Sequence, residues 1–249
     1  MAAAGGLTSS AVEPTRRPRV KVCCISSPGE ARLAVSLGAS ALGLVSAMPS
    51  GPGVIDEELI CRIAGRVPPG VATFLLTARR DADAIVEQQR RCRANTLQLV
   101  DVLPLDGAVH QRLRAALPGV GIVQVVHVGG ADAVDEALAL APHVDALLLD
   151  SGNAFRPRSG AVIPPGDQPP VKELGGTGRL HDWAISRRIR ELSPVPIYLA
   201  GGLRPENVAE AIDRVGPFGL DVCSGVRTDG RLDPVKLERF FAAVAAASA

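Results

Sequence analysis

Apolar runs recur along the chain at 20–25, 41–46, 71–76, 96–100, 122–128, 146–150, 195–200 and 220–223. They are nearly continuous instead of alternating, the pattern of strands buried on both faces in a parallel sheet. Between them lie segments with helical character at 28–37, 56–66, 81–93, 108–117, 131–140, 183–192, 205–215 and 234–247. Val208, Ile212 and Val215 share one helical face, as do Leu237, Phe240, Phe241 and Val244. Pro28, Asp56, Pro205 and Pro234 stand at helix starts, where a missing N–H or a carboxylate is favourable.

Eight strand-then-helix units in 249 residues predict an α/β protein with one domain, a closed (β/α)8 TIM barrel. A doubly wound sheet is the structural alternative, but the unit count and the glycine pattern favour the barrel. Residues 1–18 predict a disordered N-terminal tail, and 19–249 the barrel. The stretch 151–176 contains Pro157, Pro164, Pro165, Pro169 and Pro170. It predicts a long loop, either a lid or an insertion.

Composition narrows the function. Lysine and arginine number 27 against 26 acidic residues, a net charge of +1, which excludes a strongly basic nucleic-acid binder. Aromatics make up 3%, too few for a base-stacking platform. The five cysteines (23, 24, 61, 92 and 223) are odd in number and lack a CxxC pair, predicting a reduced, cytoplasmic protein. No apolar run reaches the roughly 18 residues of a membrane span, and no secretory signal is expected. His110, His127, His143 and His181 show no metal-ligand spacing, so no metal is expected. Only His127 stands where it could reach the barrel mouth. Monomer and homodimer are both open.

In such a barrel, polar residues at the C-terminal strand ends face the active-site mouth. Asp150 closes the run Leu147-Leu148-Leu149, and partial burial there would raise its pKa and suit it to general acid work. A helix cap is the plainer role. Cys23 is a candidate thiolate base, with Lys21 two residues earlier on the same face to lower its pKa. Strand alternation predicts that Cys23 and Cys24 cannot both face the mouth. A small buried hydrophobe is the plainer role for either. Cys223 ends a strand with no obvious polar partner. Gly201-Gly202 and Ser224-Gly225 follow the seventh and eighth strands, where such barrels often bind phosphate through backbone N–H groups. Glycines there also serve simple tight turns. Gly176, within Gly175-Gly176-Thr177-Gly178, could form a third edge of the same cradle.

These residues together resemble the phosphoribosylanthranilate isomerase family. Lys21-Val22-Cys23-Cys24-Ile25-Ser26 is similar to its Lys-Ile-Cys-Gly-Ile-Thr start, and Leu148-Leu149-Asp150-Ser151 to its sixth strand. Gly175-Gly176-Thr177-Gly178 with Asp182-Trp183 is similar to its Gly-Gly-Thr-Gly…Asp-Trp stretch. Leu199-Ala200-Gly201-Gly202-Leu203 and Asp221-Val222-Cys223-Ser224-Gly225-Val226 complete the set. The resemblance covers roughly 19 to 246. It implies a cofactor-free Amadori rearrangement of a phosphorylated small molecule, with Asp150 as general acid and Cys23 as general base. The phosphate would lie near Gly201, Gly202, Ser224 and Gly225.

Three departures stand out. The family's glycine after the catalytic cysteine is Cys24 here. Its Ser-Pro-Arg, whose arginine meets the anthranilate carboxylate, reads Ser50-Gly51-Pro52, losing a bidentate partner. Its Gln-Leu-His-Gly reads Gln98-Leu99-Val100-Asp101, where an acid at the mouth would repel an anionic ring. Arg156, Arg158 or Arg179 could replace the missing cation. A diverged isomerase for another phosphoribosyl or sugar-phosphate substrate is therefore a second reading. A non-catalytic phosphate-ligand-binding barrel is a third, against which the pair Cys23 and Asp150 argues.

Overall fold

The computed structural model describes residues 17–49, 51–151 and 181–248. Its elements run β1 (Arg19–Val22), α1 (Pro28–Ser36), β2 (Ala41–Val45), α2 (Glu57–Ala64), β3 (Ala72–Thr77) and α3 (Ala82–Cys92). They continue with β4 (Thr96–Leu99), α4 (Ala108–Ala116), β5 (Gly121–His127), α5 (Asp132–Leu140) and β6 (Ala146–Asp150). The last are α6 (Trp183–Leu192), β7 (Ile197–Leu199), α7 (Val208–Val215), β8 (Gly219–Val222), β9 (Arg227–Thr228), β10 (Arg231–Leu232) and α8 (Pro234–Ala246). Strands β1 to β8 pair in sequence, and β8 pairs in parallel with β1 to close an eight-stranded barrel. Most of the expected N-terminal tail and of the loop at 151–176 lies outside the described residues.

Side-chain alternation divides the apolar residues into two cores. Leu42, Leu44, Leu75, Leu97, Leu147, Leu149, Leu220 and Val222 point outward and pack under the helices. Phe74, Leu76, Val123, Val125, Leu148, Tyr198 and Ala200 point inward and fill the barrel. That is why each strand reads as a continuous apolar run: both of its faces are covered. The same alternation sets the direction of the polar exceptions. Lys21, Asp221 and Asp150 share parity with inward residues of their strands.

Helix starts follow the sequence signals. Ser27, Asp56, Asp81, Asp182 and Asp233 are N-caps whose side chains accept backbone N–H groups. Each such cap is worth about 1 kcal/mol. Helix α7 starts at Val208, three residues after Pro205, because Asn207 folds the preceding segment into a turn. Its Oδ1 accepts from Arg204 N at 2.9 Å and its Nδ2 donates to Gly202 O at 3.0 Å. The ribbon β9–β10 and the 3-10 turn Ser224–Val226 before it are additions to the expected eight units. Among the described residues no helix is long and apolar enough to cross a membrane.

Candidate active site

Lys21 is the most unusual residue of the barrel interior: a lysine with 0% exposure. It sits on β1 in register with Asp221 on β8, and Nζ lies 2.8 Å from the Asp221 carboxylate. Burial disfavours the ammonium, but Asp221 and Cys23 outweigh it and hold the Lys21 pKa above its ordinary value. Space for this arrangement comes from Gly43 on β2. A Cβ there would lie 2.8 Å from Cys23 Sγ and 3.0 Å from Lys21 Nζ, so these side chains would have to shift to admit it. An interior glycine in a strand often marks such a close approach.

Cys23 follows β1 and faces the same interior, as expected from its parity with Lys21. Its thiol is pulled below the ordinary value by a hydrogen bond with Cys24 and by the Lys21 ammonium, against the opposing effect of burial. Asp150 ends β6 and is buried. Desolvation, with a further push from the Asp221 charge, raises its carboxyl from 3.8 to about 6, although Ser151 N donates to Oδ1 at 2.8 Å. Cys23, Asp150 and Asp221 line one cavity at the C-terminal end of the barrel. An acid and a base with pKa values drawn toward each other can therefore act on one bound molecule.

The expected exclusion of Cys24 from the mouth is corrected here. Cys24 leaves the strand with φ +61°, the left-handed conformation glycine adopts most readily, so alternation no longer applies. Both cysteines line the cavity. Cys223, which showed no partner in the sequence, donates to Cys24 Sγ at 2.9 Å, and Cys24 in turn donates to Pro52 O at 3.5 Å. This left-handed turn is held from the far end of the chain. Arg227 Nη2 donates to the carbonyls of Cys23 and Cys24 at 3.1 and 2.6 Å, while Nη1 lies 3.2 Å from Glu30. Glu30 also accepts from Ser26 N and Leu232 N, each at 2.9 Å.

Gly201 and Gly202 take φ of +84° and +65°, and with Leu203 and Ser224 they line the stretch of wall that lies between β6 and β1. Gly225 stands behind that wall. A Cβ on it would drive into the Leu203 carbonyl oxygen, so the loops after β7 and β8 touch through bare backbone. Gly176, Arg156, Arg158, Arg179 and Ser50 lie outside the described residues. Val45, Met48, Leu76, Val100 and Val125 form the apolar end of the cavity, with Gly51 and Pro52 beside them. Asp101 is not among the lining residues. It is buried, with its carboxylate accepting from Val102 N at 2.6 Å. His127 also lies outside the lining, its Nε2 3.2 Å from Val100 O. Among the described residues no group of three or more His, Cys, Asp or Glu is arranged to hold a metal ion.

Sequence reading passed over Asp221, Gly43, Asn207 and the Arg227–Glu30 pair as site components. Asp221 carried a legible signal, a charged residue at an inward position of an apolar strand. Gly43 and the Arg227–Glu30 pair depend on contacts between distant segments.

Known proteins resemble the chain over almost its full length. The sequence profile described as N-(5'phosphoribosyl)anthranilate (PRA) isomerase matches residues 20–243. A Methanocella arvoryzae protein named N-(5'-phosphoribosyl)anthranilate isomerase is 32% identical over 223 residues, 90% of this chain and 95% of its own. The crystal structure of phosphoribosyl anthranilate isomerase from Thermotoga maritima superposes with a TM-score of 0.73 at 26% identity, covering 92% of this chain and 99% of that one. A crystal structure of phosphoribosyl anthranilate isomerase in complex with reduced 1-(o-carboxyphenylamino)-1-deoxyribulose 5-phosphate gives a TM-score of 0.71 at 25% identity, covering 92% of this chain and 99% of that one.

Proposed function

The chain belongs to the N-(5'-phosphoribosyl)anthranilate isomerase family, and from that premise we infer how its own residues carry out the reaction. The reaction is the Amadori rearrangement of N-(5'-phosphoribosyl)anthranilate to 1-(o-carboxyphenylamino)-1-deoxyribulose 5-phosphate, an aldose–ketose isomerisation in tryptophan biosynthesis.

Asp150 acts as the general acid. It protonates the furanose ring oxygen as the bond from that oxygen to C1′ breaks, and the anilino nitrogen lone pair forms the C1′ iminium. Cys23, as thiolate, removes the proton from C2′. The freed electron pair makes the C1′–C2′ double bond and neutralises the iminium nitrogen. The resulting enolamine then loses its C2′ hydroxyl proton and gains one at C1′, giving the ketone. An acid with a pKa of about 6 is well matched to proton transfer near neutral pH. Lys21 keeps the thiolate favourable, and Asp221 holds Lys21 in place. The phosphate is held by backbone N–H groups around Gly201, Gly202 and Gly225 and by the Ser224 hydroxyl. The aryl ring takes the apolar end beside Met48 and Val100.

The observation that carries this assignment is the raised carboxyl of Asp150 and the lowered thiol of Cys23 lining one cavity. The test is the decay of substrate fluorescence with purified protein. Wild type should consume the signal, and Cys23→Ser and Asp150→Asn should each lower turnover about 10²-fold or more. Unchanged turnover in either variant removes that residue from its role.

A further inference from the structure

The thiols beside the catalytic cysteine carry chemistry that the isomerisation does not use. Cys223 follows β8 and stands next to Cys23 across the β1–β8 pairing, where Val22 is in register with Val222 and Cys23 N donates to Val222 O at 2.8 Å. The left-handed turn at Cys24 swings its side chain back toward the same place, leaving the Cys24 and Cys223 sulfurs 2.9 Å apart. Two thiols this close need only a small movement to reach the roughly 2 Å of a disulfide. Cys223 is only partly buried and both residues line the open cavity, so a small oxidant reaches them through the substrate entrance.

We propose that Cys24 and Cys223 form a reversible disulfide across the active-site mouth when the protein meets a hydroperoxide. The Cys223 sulfur gives up its thiol proton and attacks one oxygen of hydrogen peroxide. The O–O bond breaks, hydroxide leaves as water with the thiol's proton, and Cys223 becomes a sulfenic acid. Cys24 sulfur then attacks Cys223 sulfur, the S–O bond breaks, and a second water departs with the Cys24 proton. Two thiols lose two electrons in all, and the peroxide is reduced to two waters. The bond would tie the turn after β1 to the loop that presents Ser224, and would take Cys24 away from Cys23. Oxidation therefore disables both the base and the phosphate wall, and a dithiol reductant restores them.

The proposal is tested on the full chain treated with hydrogen peroxide, then blocked with N-ethylmaleimide and digested without reduction. The expected result is one cross-linked peptide pair joining Cys24 to Cys223, lost after dithiothreitol and absent from Cys223→Ser. Complete alkylation of all five cysteines, a Cys23–Cys24 bridge, or irreversible oxidation of Cys23 alone would each overturn it. The same samples are assayed for isomerase turnover, each variant scaled to its own reduced rate. Wild type should lose tenfold or more and recover with dithiothreitol, and Cys223→Ser should lose less than twofold. The activity arm rests on the proposed reaction, whereas the peptide arm reads the disulfide whether or not that reaction is correct.

Discussion

Lys21 carries its charge into the barrel interior, where it is fully buried and bonded to the Asp221 carboxylate. A buried ion pair of this kind adds little net stability, because desolvation offsets most of the attraction. Breaking it from one side is another matter. Lys21→Met should lower stability by about 3–5 kcal/mol, since Asp221 would be left charged and unpaired. The double variant Lys21→Met, Asp221→Asn should recover most of that loss. Urea denaturation of the two variants checks this, and equal stability would show that the pair is not what holds Asp221 in the interior. Position within a strand made several of these residues legible from sequence. Lys21, Cys23 and Asp150 break apolar runs at inward parity, and each lies where that parity predicts. Cys24 was illegible for a definite reason: alternation presumes extended backbone, and at φ +61° Cys24 is no longer extended.

The strands and helices themselves could be read almost completely, because both faces of every strand are covered and each helix buries one apolar stripe. The connections could not. The ribbon β9–β10 and the Arg227–Glu30 clamp depend on hydrogen bonds between segments as far apart as Glu30 and Leu232. No local pattern encodes such partners. These connections nevertheless shape the wall proposed to hold the phosphate, and Gly225 is the sharpest case. With a Cβ at Gly225 blocked by the Leu203 carbonyl, Gly225→Ala must push the β7 and β8 loops apart. Asp150 and Cys23 belong to other strands and should keep their geometry. Gly225→Ala is therefore expected to raise KM tenfold or more and to change kcat by less than threefold. A fall in kcat with KM intact would place the effect at the acid–base pair, against the assignment of this wall to phosphate.

Across the barrel as a whole, the proposed catalytic role of Asp150 and the stability of the fold pull in opposite directions. An ordinary aspartate titrates near 3.8, and this one is raised to about 6 by burial. Below 3.8 folded and unfolded chains are both protonated, so the group has no effect on stability there. Between the two values the unfolded chain has released its proton while the folded one retains it. Stability then falls with rising pH by about 1.4 kcal/mol per unit. At pH 7 the accumulated loss is at most about 3 kcal/mol. Asp150→Asn removes the titration while its amide oxygen can still accept from Ser151 N. The amide's own burial is unfavourable by a similar amount at every pH, so it cancels when two pH values are compared. Relative to wild type, Tm of Asp150→Asn should therefore rise by about 5 °C or more between pH 4 and pH 7. Differential scanning calorimetry at both pH values measures that change. The same substitution should cost the enzyme its turnover, as expected when a buried acid is retained for chemistry at the expense of the fold. If the Tm difference is the same at pH 4 and pH 7, Asp150 titrates in the folded chain as it does in the unfolded one. It would then be fully ionised near neutrality, and the ring oxygen would need another proton donor.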